Sequence, residues 1–486
     1  MKTCKIIIKD EVNLKIDGLE LAERRALTKK FEYEIPGARY LPSVRLGRWS
    51  GKVSYFSVGG ASYINLLPEI IPIIDAAGYD IEIDDVRSYS TSFEFKPITE
   101  NSFSHISWPE KHSLAGKPIE LRDYQVEIVN NFLKNPQCIQ VAPTGAGKTL
   151  ITAALSSSVE HHGRSIVIVP NKSLVTQTEA DYINLGLDVG VYYGDRKELG
   201  KKHTICTWQS VLAIIKNTQN GEATYTIHDF LEDVVCVICD EVHGAKADQL
   251  KSMLSTVMAH IPIRWGLTGT IPKEEFASTA LTVCIGPVIN KLTAVELQEK
   301  GVLSNCHVNI LQLQDHREFS NYQNELKYLL EDGDRITYIA SLVSKISKSG
   351  NTLVLVDRIS AGESLVAILP NSVFVSGNTK NKDRQTEYES ISDSDGKIIV
   401  ATYQVAAVGI NIPRIFNVVL LEPGKSFVRT IQSIGRGLRK AHDKDHVEIW
   451  DVNSSCKFSK RHLTKRKEFY KEVEYNYTIE KVNWQQ

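Results

Sequence analysis

From about residue 117 the chain alternates short runs of β-branched and apolar residues with longer helical stretches, a pattern that predicts parallel sheet layered with helices. The first series of runs is Cys138–Val141, Ser165–Val169, Val189–Tyr193, Thr204–Thr207, Val234–Cys239 and Arg264–Thr268. Beyond a charged, polar stretch a second series follows: Thr352–Val356, Ser372–Val375, Lys397–Ala401, Val418–Leu421 and His446–Trp450. Two sheets are therefore expected, alike in pattern and without sequence repeat. The first hundred or so residues read differently, with a strand at Cys4–Ile8, a hairpin over Val53–Gly60, an apolar helix over Leu66–Ala77 and a strand at Ile81–Ile83. These predict a small α+β domain. After Trp450-Asp451 the chain turns basic and then mixed in charge, which suggests one or two helices.

A chain of 486 residues has room for roughly three domains. The pattern divides it into an N-terminal accessory domain (1–112), two α/β domains (113–295 and 296–452) and a basic helical tail (453–486). Charge alters this picture little: 57 basic against 58 acidic side chains give a net charge of -1, so any nucleic-acid surface must be local. The opening Met1–Asp10 holds an apolar run far too short for a signal peptide, and nothing later approaches a membrane span, so a cytoplasmic protein is expected. The eight cysteines include the spacing Cys236-Val-Ile-Cys239. On a strand, residues three apart point to opposite faces, so this pair cannot grip one metal. All eight are expected to be reduced and mostly packed.

Candidate chemistry begins where the run Cys138–Val141 meets the helical stretch Leu150–Leu155. The connecting segment reads Ala142-Pro143-Thr144-Gly145-Ala146-Gly147-Lys148-Thr149. Gly145 and Gly147 would let the backbone wrap an anion, with N–H groups at the start of the new helix pointing at phosphate oxygens. Lys148 would reach the β and γ phosphates and Thr149 would ligand Mg2+. Ala142 stands where the strict phosphate-loop pattern has Gly. About 90 residues on, Asp240-Glu241-Val242-His243 closes the run Val234–Cys239, placing two carboxylates at the carboxyl edge of the same sheet, where ligands bind in open α/β folds. Asp240 suits magnesium and Glu241 suits the activation of water. In the second half, which has no phosphate loop, Gln432, Gly435, Arg436 and Arg439 lie close together. Arg436 and Arg439, three apart, would share a helix face and put positive charge on a γ-phosphate. A composite nucleotide site between two domains is the expectation.

In this order the motifs of residues 121–439 resemble those of superfamily 2 helicases, which implies two tandem RecA-like parallel-sheet domains using ATP and Mg2+. Leu121-Arg122-Asp123-Tyr124-Gln125 is similar to the motif whose glutamine reads adenine, so Arg122 and Gln125 join the phosphate loop (Pro143, Thr144, Gly145, Ala146, Gly147, Lys148, Thr149) as ATP-binding residues. Pro170-Asn171-Lys172 and Thr207-Trp208-Gln209 resemble strand-tracking motifs; Ser376, Gly377 and Thr402 take nucleic-acid roles on the same resemblance. Thr268-Gly269-Thr270 and His243 resemble elements that link hydrolysis to domain movement. Gly409 and Asn411 fall in a second-domain motif that touches nucleotide, although the family usually has aspartate at position 411. The accessory domain, the Thr207-Trp208-Gln209 form and Asp451 before the basic tail resemble the UvsW kind of phage branch-migration helicases.

The N-terminal segment also speaks through its residues alone. Residues 24–52 hold Arg24, Arg25, Lys29, Lys30, Arg39, Arg45, Arg48 and Lys52 against Glu32 and Glu34, interleaved with Phe31, Tyr33, Tyr40 and Trp49. Cations meet phosphates and flat side chains either stack on bases or brace a loop, so Arg45, Arg48, Trp49 and Lys52 are candidate DNA contacts. The sequence thus leads to an ATP-dependent DNA helicase or translocase that remodels forked or branched DNA, 3' to 5' as the resembled subfamily implies. DNA in single-stranded, forked and branched form is the expected partner, alongside replication or recombination proteins, with a monomer favoured. An RNA helicase, an ATP-switched clamp that does not unwind, and a restriction-nuclease motor subunit are the alternatives.

Overall fold

The computed structural model describes residues 2–485 apart from 88–92, 111, 113, 223, 242–246, 378, 380–385, 389, 392–393, 408–413, 425–434 and 436–442. The chain forms two compact units, one of Met1–Ala142 and Gly147–Lys291, the other of Leu292–Gln486 with the four loop residues Pro143–Ala146.

The first unit opens with a small four-stranded sheet in the order Ala61–Tyr63, Asn13–Asp17, Lys2–Ile8, Tyr79–Asp85. Cys4, Ile6 and Ile8 alternate into its core while their neighbours face outward, as strand geometry dictates for a sheet with one wet face. The expected hairpin over residues 53–60 does not form. Lys52–Ser54 pairs back onto Glu32–Glu34, and Ala61–Tyr63 pairs with Asn13–Asp17, with the buried Tyr55 and Phe56 between them. The small sheet is tied to the larger one by long-range bonds. Glu11 N–H donates to the Ala259 carbonyl at 3.0 Å, Gln137 Nε2 to the Glu11 carbonyl at 2.8 Å, and the Tyr55 hydroxyl to the Phe276 carbonyl at 3.0 Å.

The larger sheet has eight strands in the order Arg196–Lys197, Val189–Tyr193, His203–Thr207, Arg164–Val169, Val234–Asp240, Ile263–Thr268, Gln137–Val141, Val288–Lys291. All neighbours are parallel except the short first strand. Every residue of Val234–Asp240 is buried, which is why it reads as a continuous apolar run rather than an alternation. In register, Asp240 lies beside Leu267 and Thr268 beside Val141. Three motif-bearing strand ends are therefore neighbours.

The second unit is built on seven parallel strands in the order Ser372–Val375, Ile398–Thr402, Thr352–Val356, Asn417–Leu421, His446–Ser454, Asn305–Leu313, Tyr477–Val482. Residues 453–486 hold the expected basic helix, Lys457–Glu472, but its inner face is buried through Leu463, Phe469 and Tyr470, and the strand that follows completes the sheet. Arg466 is buried within this helix, forks onto both oxygens of Asp451 at 2.9 Å each, and donates to the Pro423 carbonyl. Glu325 accepts from the N–H groups of Phe458 and Ser459 at 3.0 and 2.7 Å, an anion at the positive end of the helix. Among the described residues no helix is long and apolar enough to cross a membrane.

Candidate nucleotide and nucleic-acid sites

The strand Gln137–Val141 hands over to the helix Lys148–Val159 through a loop whose two glycines sit at positive φ, 92° for Gly145 and 77° for Gly147. Residues with a Cβ reach that region only at a cost, so the turn depends on glycine. At Gly147 space forbids a side chain as well, because an added Cβ would lie 2.5 Å from Gln125 Nε2. Gln125 is itself buried, and its Oε1 accepts from Arg122 N–H at 3.0 Å at the start of the helix Asp123–Lys134. The guanidinium of Arg122 donates to the Tyr124 hydroxyl at 3.1 Å. The segment holding Gln125 and the glycine loop are thus in contact.

Lys148, 9% exposed, donates to the Ala142 carbonyl at 3.2 Å and pairs with Glu241 Oε1 at 3.0 Å. Glu241 stands just past its strand at φ 51°, a sparsely populated conformation for a residue with a side chain. From there its Oε2 also accepts from Gly269 N–H at 3.3 Å. Ala142 N–H donates to the Thr268 carbonyl at 2.8 Å, and the Thr268 hydroxyl to the Thr270 carbonyl at 2.8 Å. One cluster therefore joins Lys148, Glu241 and the Thr268–Thr270 turn. Asp240 is buried behind it, and its carboxyl is pushed above the usual range by burial first and by the charge of Glu241 second. The buried Thr149 hydroxyl donates to Asp181 Oδ2, a carboxyl also raised by burial. Among the described residues no group of three or more His, Cys, Asp or Glu has the arrangement of a metal cage, and all eight cysteines are free thiols. Thr149 and Asp240 suit a hydrated magnesium ion on a nucleotide, which takes only one or two protein ligands.

A second site lies on the same sheet. From the strand-tracking segments, Pro170, Asn171, Lys172, Thr207 and Gln209 line one pocket of about 880 Å³. Asn171 and Thr207 are N-caps, of the 13-residue helix Lys172–Asn184 and the 12-residue helix Trp208–Gln219, so two positive helix ends open at this pocket. Tyr192, Lys197 and Tyr225 supply further walls that sequence reasoning missed.

In the accessory part of the unit, Arg45 closes the four-residue helix Pro42–Arg45 and Arg48 lies in the loop after it, both exposed, in a segment that also exposes Tyr40, Leu41 and Leu46. Trp49 braces this loop, donating from Nε1 to the Lys52 carbonyl at 3.1 Å, and Lys52 is paired with Glu32 at 2.8 Å. In the second unit Ser376 and Gly377 follow the strand Ser372–Val375, and Thr402 ends the neighbouring Ile398–Thr402, so these three share one sheet edge. His243, Gly409, Asn411, Gln432, Arg436 and Arg439 lie outside the described residues.

Residues 118–273 match the family model for the res subunit of type III restriction enzymes, and residues 334–441 match the helicase conserved C-terminal domain. The chain is a superfamily 2 helicase. It is 25% identical to the ATP-dependent DNA helicase uvsW of Enterobacteria phage T4, in an alignment covering 99% of each chain. It is 30% identical to the DNA 3'-5' translocase XPB2 of Sulfurisphaera tokodaii over 45% of each. The helicase also shares its fold with the type ISP restriction-modification enzyme LlaBIII bound to DNA, at TM-score 0.56 and 15% identity, covering 85% of this chain and 34% of that one.

Proposed function

We propose that this helicase is an ATP-driven DNA translocase that remodels forked or branched DNA, moving 3' to 5'. The observation that carries the reading is the cluster of Lys148, Glu241 and Gly269 at adjacent strand ends of the sheet that also bears the strand-tracking pocket. Lys148 and the loop Pro143–Gly147 hold the phosphates of ATP, while Arg122 and Gln125 take the base. Thr149 and Asp240 hold magnesium, which supplies charge neutralisation on the phosphates when bound. Glu241 accepts a proton from the attacking water, and Gly269, bonded to that carboxylate, registers its departure from Lys148 together with Thr268, Thr270 and His243. Arg436 and Arg439 put positive charge on the γ-phosphate, with Gln432, Gly409 and Asn411 as further nucleotide contacts.

DNA phosphates lie along Asn171, Lys172, Thr207 and Gln209 in one unit and along Ser376, Gly377 and Thr402 in the other. Arg45 and Arg48 hold a duplex arm. The near full-length similarity to a phage DNA helicase favours DNA over RNA, and a host-cell cytoplasm as the place of action. Steady-state ATP hydrolysis with no nucleic acid, single-stranded DNA, forked DNA, four-way junctions and RNA tests the proposal. Forks and junctions should stimulate most, and junction migration should accompany hydrolysis. Stimulation greatest by RNA, or hydrolysis without strand movement, would overturn it.

A further inference from the structure

The Thr149 hydroxyl sits on the first turn of the helix Lys148–Val159, yet the group it bonds lies on another helix, as Asp181 near the end of Lys172–Asn184. A hydroxyl carries one proton and two lone pairs. A hydroxyl that ligands a cation must present a lone pair to it, so its proton has to be taken by an acceptor elsewhere. A fixed carboxylate does this well: it sets the rotation of the O–H, points the lone pairs away from itself and makes the oxygen a stronger donor to the metal. Thr149 is 8% exposed, so water has little access to serve as that acceptor. Asp181 belongs to none of the motifs that point to nucleotide. We propose that Asp181 is a positioning residue for magnesium, acting through Thr149: it takes the hydroxyl proton and leaves a lone pair for the cation. This rests on the reading of Thr149 as a magnesium ligand.

The test uses the full-length protein and binding of a fluorescent, non-hydrolysable ATP analogue at increasing Mg2+, with T149V, D181L, D181N and the T149V/D181L double variant. D181L should raise the half-saturating Mg2+ concentration about 10- to 100-fold, the usual effect of losing a ligand's hydrogen-bond partner. Analogue binding in EDTA should be unchanged. D181N keeps an acceptor oxygen without the charge and should give a smaller rise; it decides the matter if D181L fails to fold. In the T149V background D181L should add nothing, because the effect runs through that hydroxyl. A rise for T149V with none for either Asp181 variant would reduce Asp181 to a tie between helices and overturn the proposal. Additive effects in the double variant would also overturn it. No rise for T149V itself would instead remove the reading of Thr149 on which the proposal stands.

Discussion

Glu241→Gln separates binding from chemistry, because Glu241 does two things that pull in opposite directions. Its carboxylate holds Lys148 at 3.0 Å, with the two side chains 14% and 9% exposed. A γ-phosphate must take that ammonium away from it. Removing one partner of a buried ion pair costs about 3–5 kcal/mol; here the lower end applies, since Lys148 keeps the Ala142 carbonyl at 3.2 Å. That cost falls on the protein without nucleotide, and phosphate relieves it. Affinity should therefore rise, by about tenfold for each 1.4 kcal/mol recovered. Hydrolysis should fall, since loss of a general base costs about 10²- to 10⁴-fold, or about 3–5 kcal/mol on the barrier. Equilibrium binding of a fluorescent ATP analogue and single-turnover hydrolysis measure the two separately, and Lys148→Ala, which should lose binding, is the reference. Binding weakened as much as in Lys148→Ala, or hydrolysis within tenfold of the parent, would refute the assignment of Glu241.

Other substitutions test other parts of the structure. Gly147→Ala combines a positive φ with a Cβ 2.5 Å from Gln125 Nε2 and should weaken ATP binding at least tenfold with little change in unfolding midpoint; unaltered binding would mean that the loop relaxes freely. Arg45→Ala with Arg48→Ala should lower the slope of log K against log salt for forked DNA by about two, one for each lost phosphate contact, whereas an unchanged slope in a folded variant would make the two a merely solvated face. Asp451→Ala strands the buried Arg466 guanidinium and should destabilise the second unit by about 3–5 kcal/mol in urea unfolding. A loss below about 1 kcal/mol would mean that Arg466 reaches water instead.

That Lys148, Glu241 and the Thr268–Thr270 turn come together was legible because their strands are buried on both faces, so that apolar runs end abruptly at polar residues, as Val234–Cys239 ends at Asp240-Glu241. Side chains that arrive from elsewhere left no such trace. Asp181 reaches Thr149 across a helix–helix packing, and no periodicity links residues on two helices. Tyr192 and Tyr225 enter the pocket from a strand end and a loop. The strand Tyr477–Val482 lies at a sheet edge with most of its residues exposed, so its composition reads as a solvated tail. In residues 53–60 the alternation and the pair Gly59-Gly60 imitate a hairpin, while the partners lie well upstream, at Glu32–Glu34 and Asn13–Asp17.

The position of Asn305–Leu313 bears on how the chain is made. It is the first strand of the second unit, and both strands beside it, His446–Ser454 and Tyr477–Val482, come last. A ribosome adding about 5–20 residues per second needs on the order of ten seconds to go from this strand to its first partner. Throughout that interval Val308, Ile310, Leu311 and Leu313, all buried in the finished sheet, have no strand to pair with. The first unit starts at once in its small sheet, where Lys2–Ile8 meets Asn13–Asp17, but its larger sheet carries the same delay, since Gln137–Val141 pairs only with Ile263–Thr268 and Val288–Lys291. Folding during synthesis is thus staggered within each unit, and the early strands Gln137–Val141 and Asn305–Leu313 are the parts of the chain that a chaperone would have to shield. A messenger cut short between residues 314 and 446 would yield a product whose orphan strand leads to aggregation rather than to an isolated first unit.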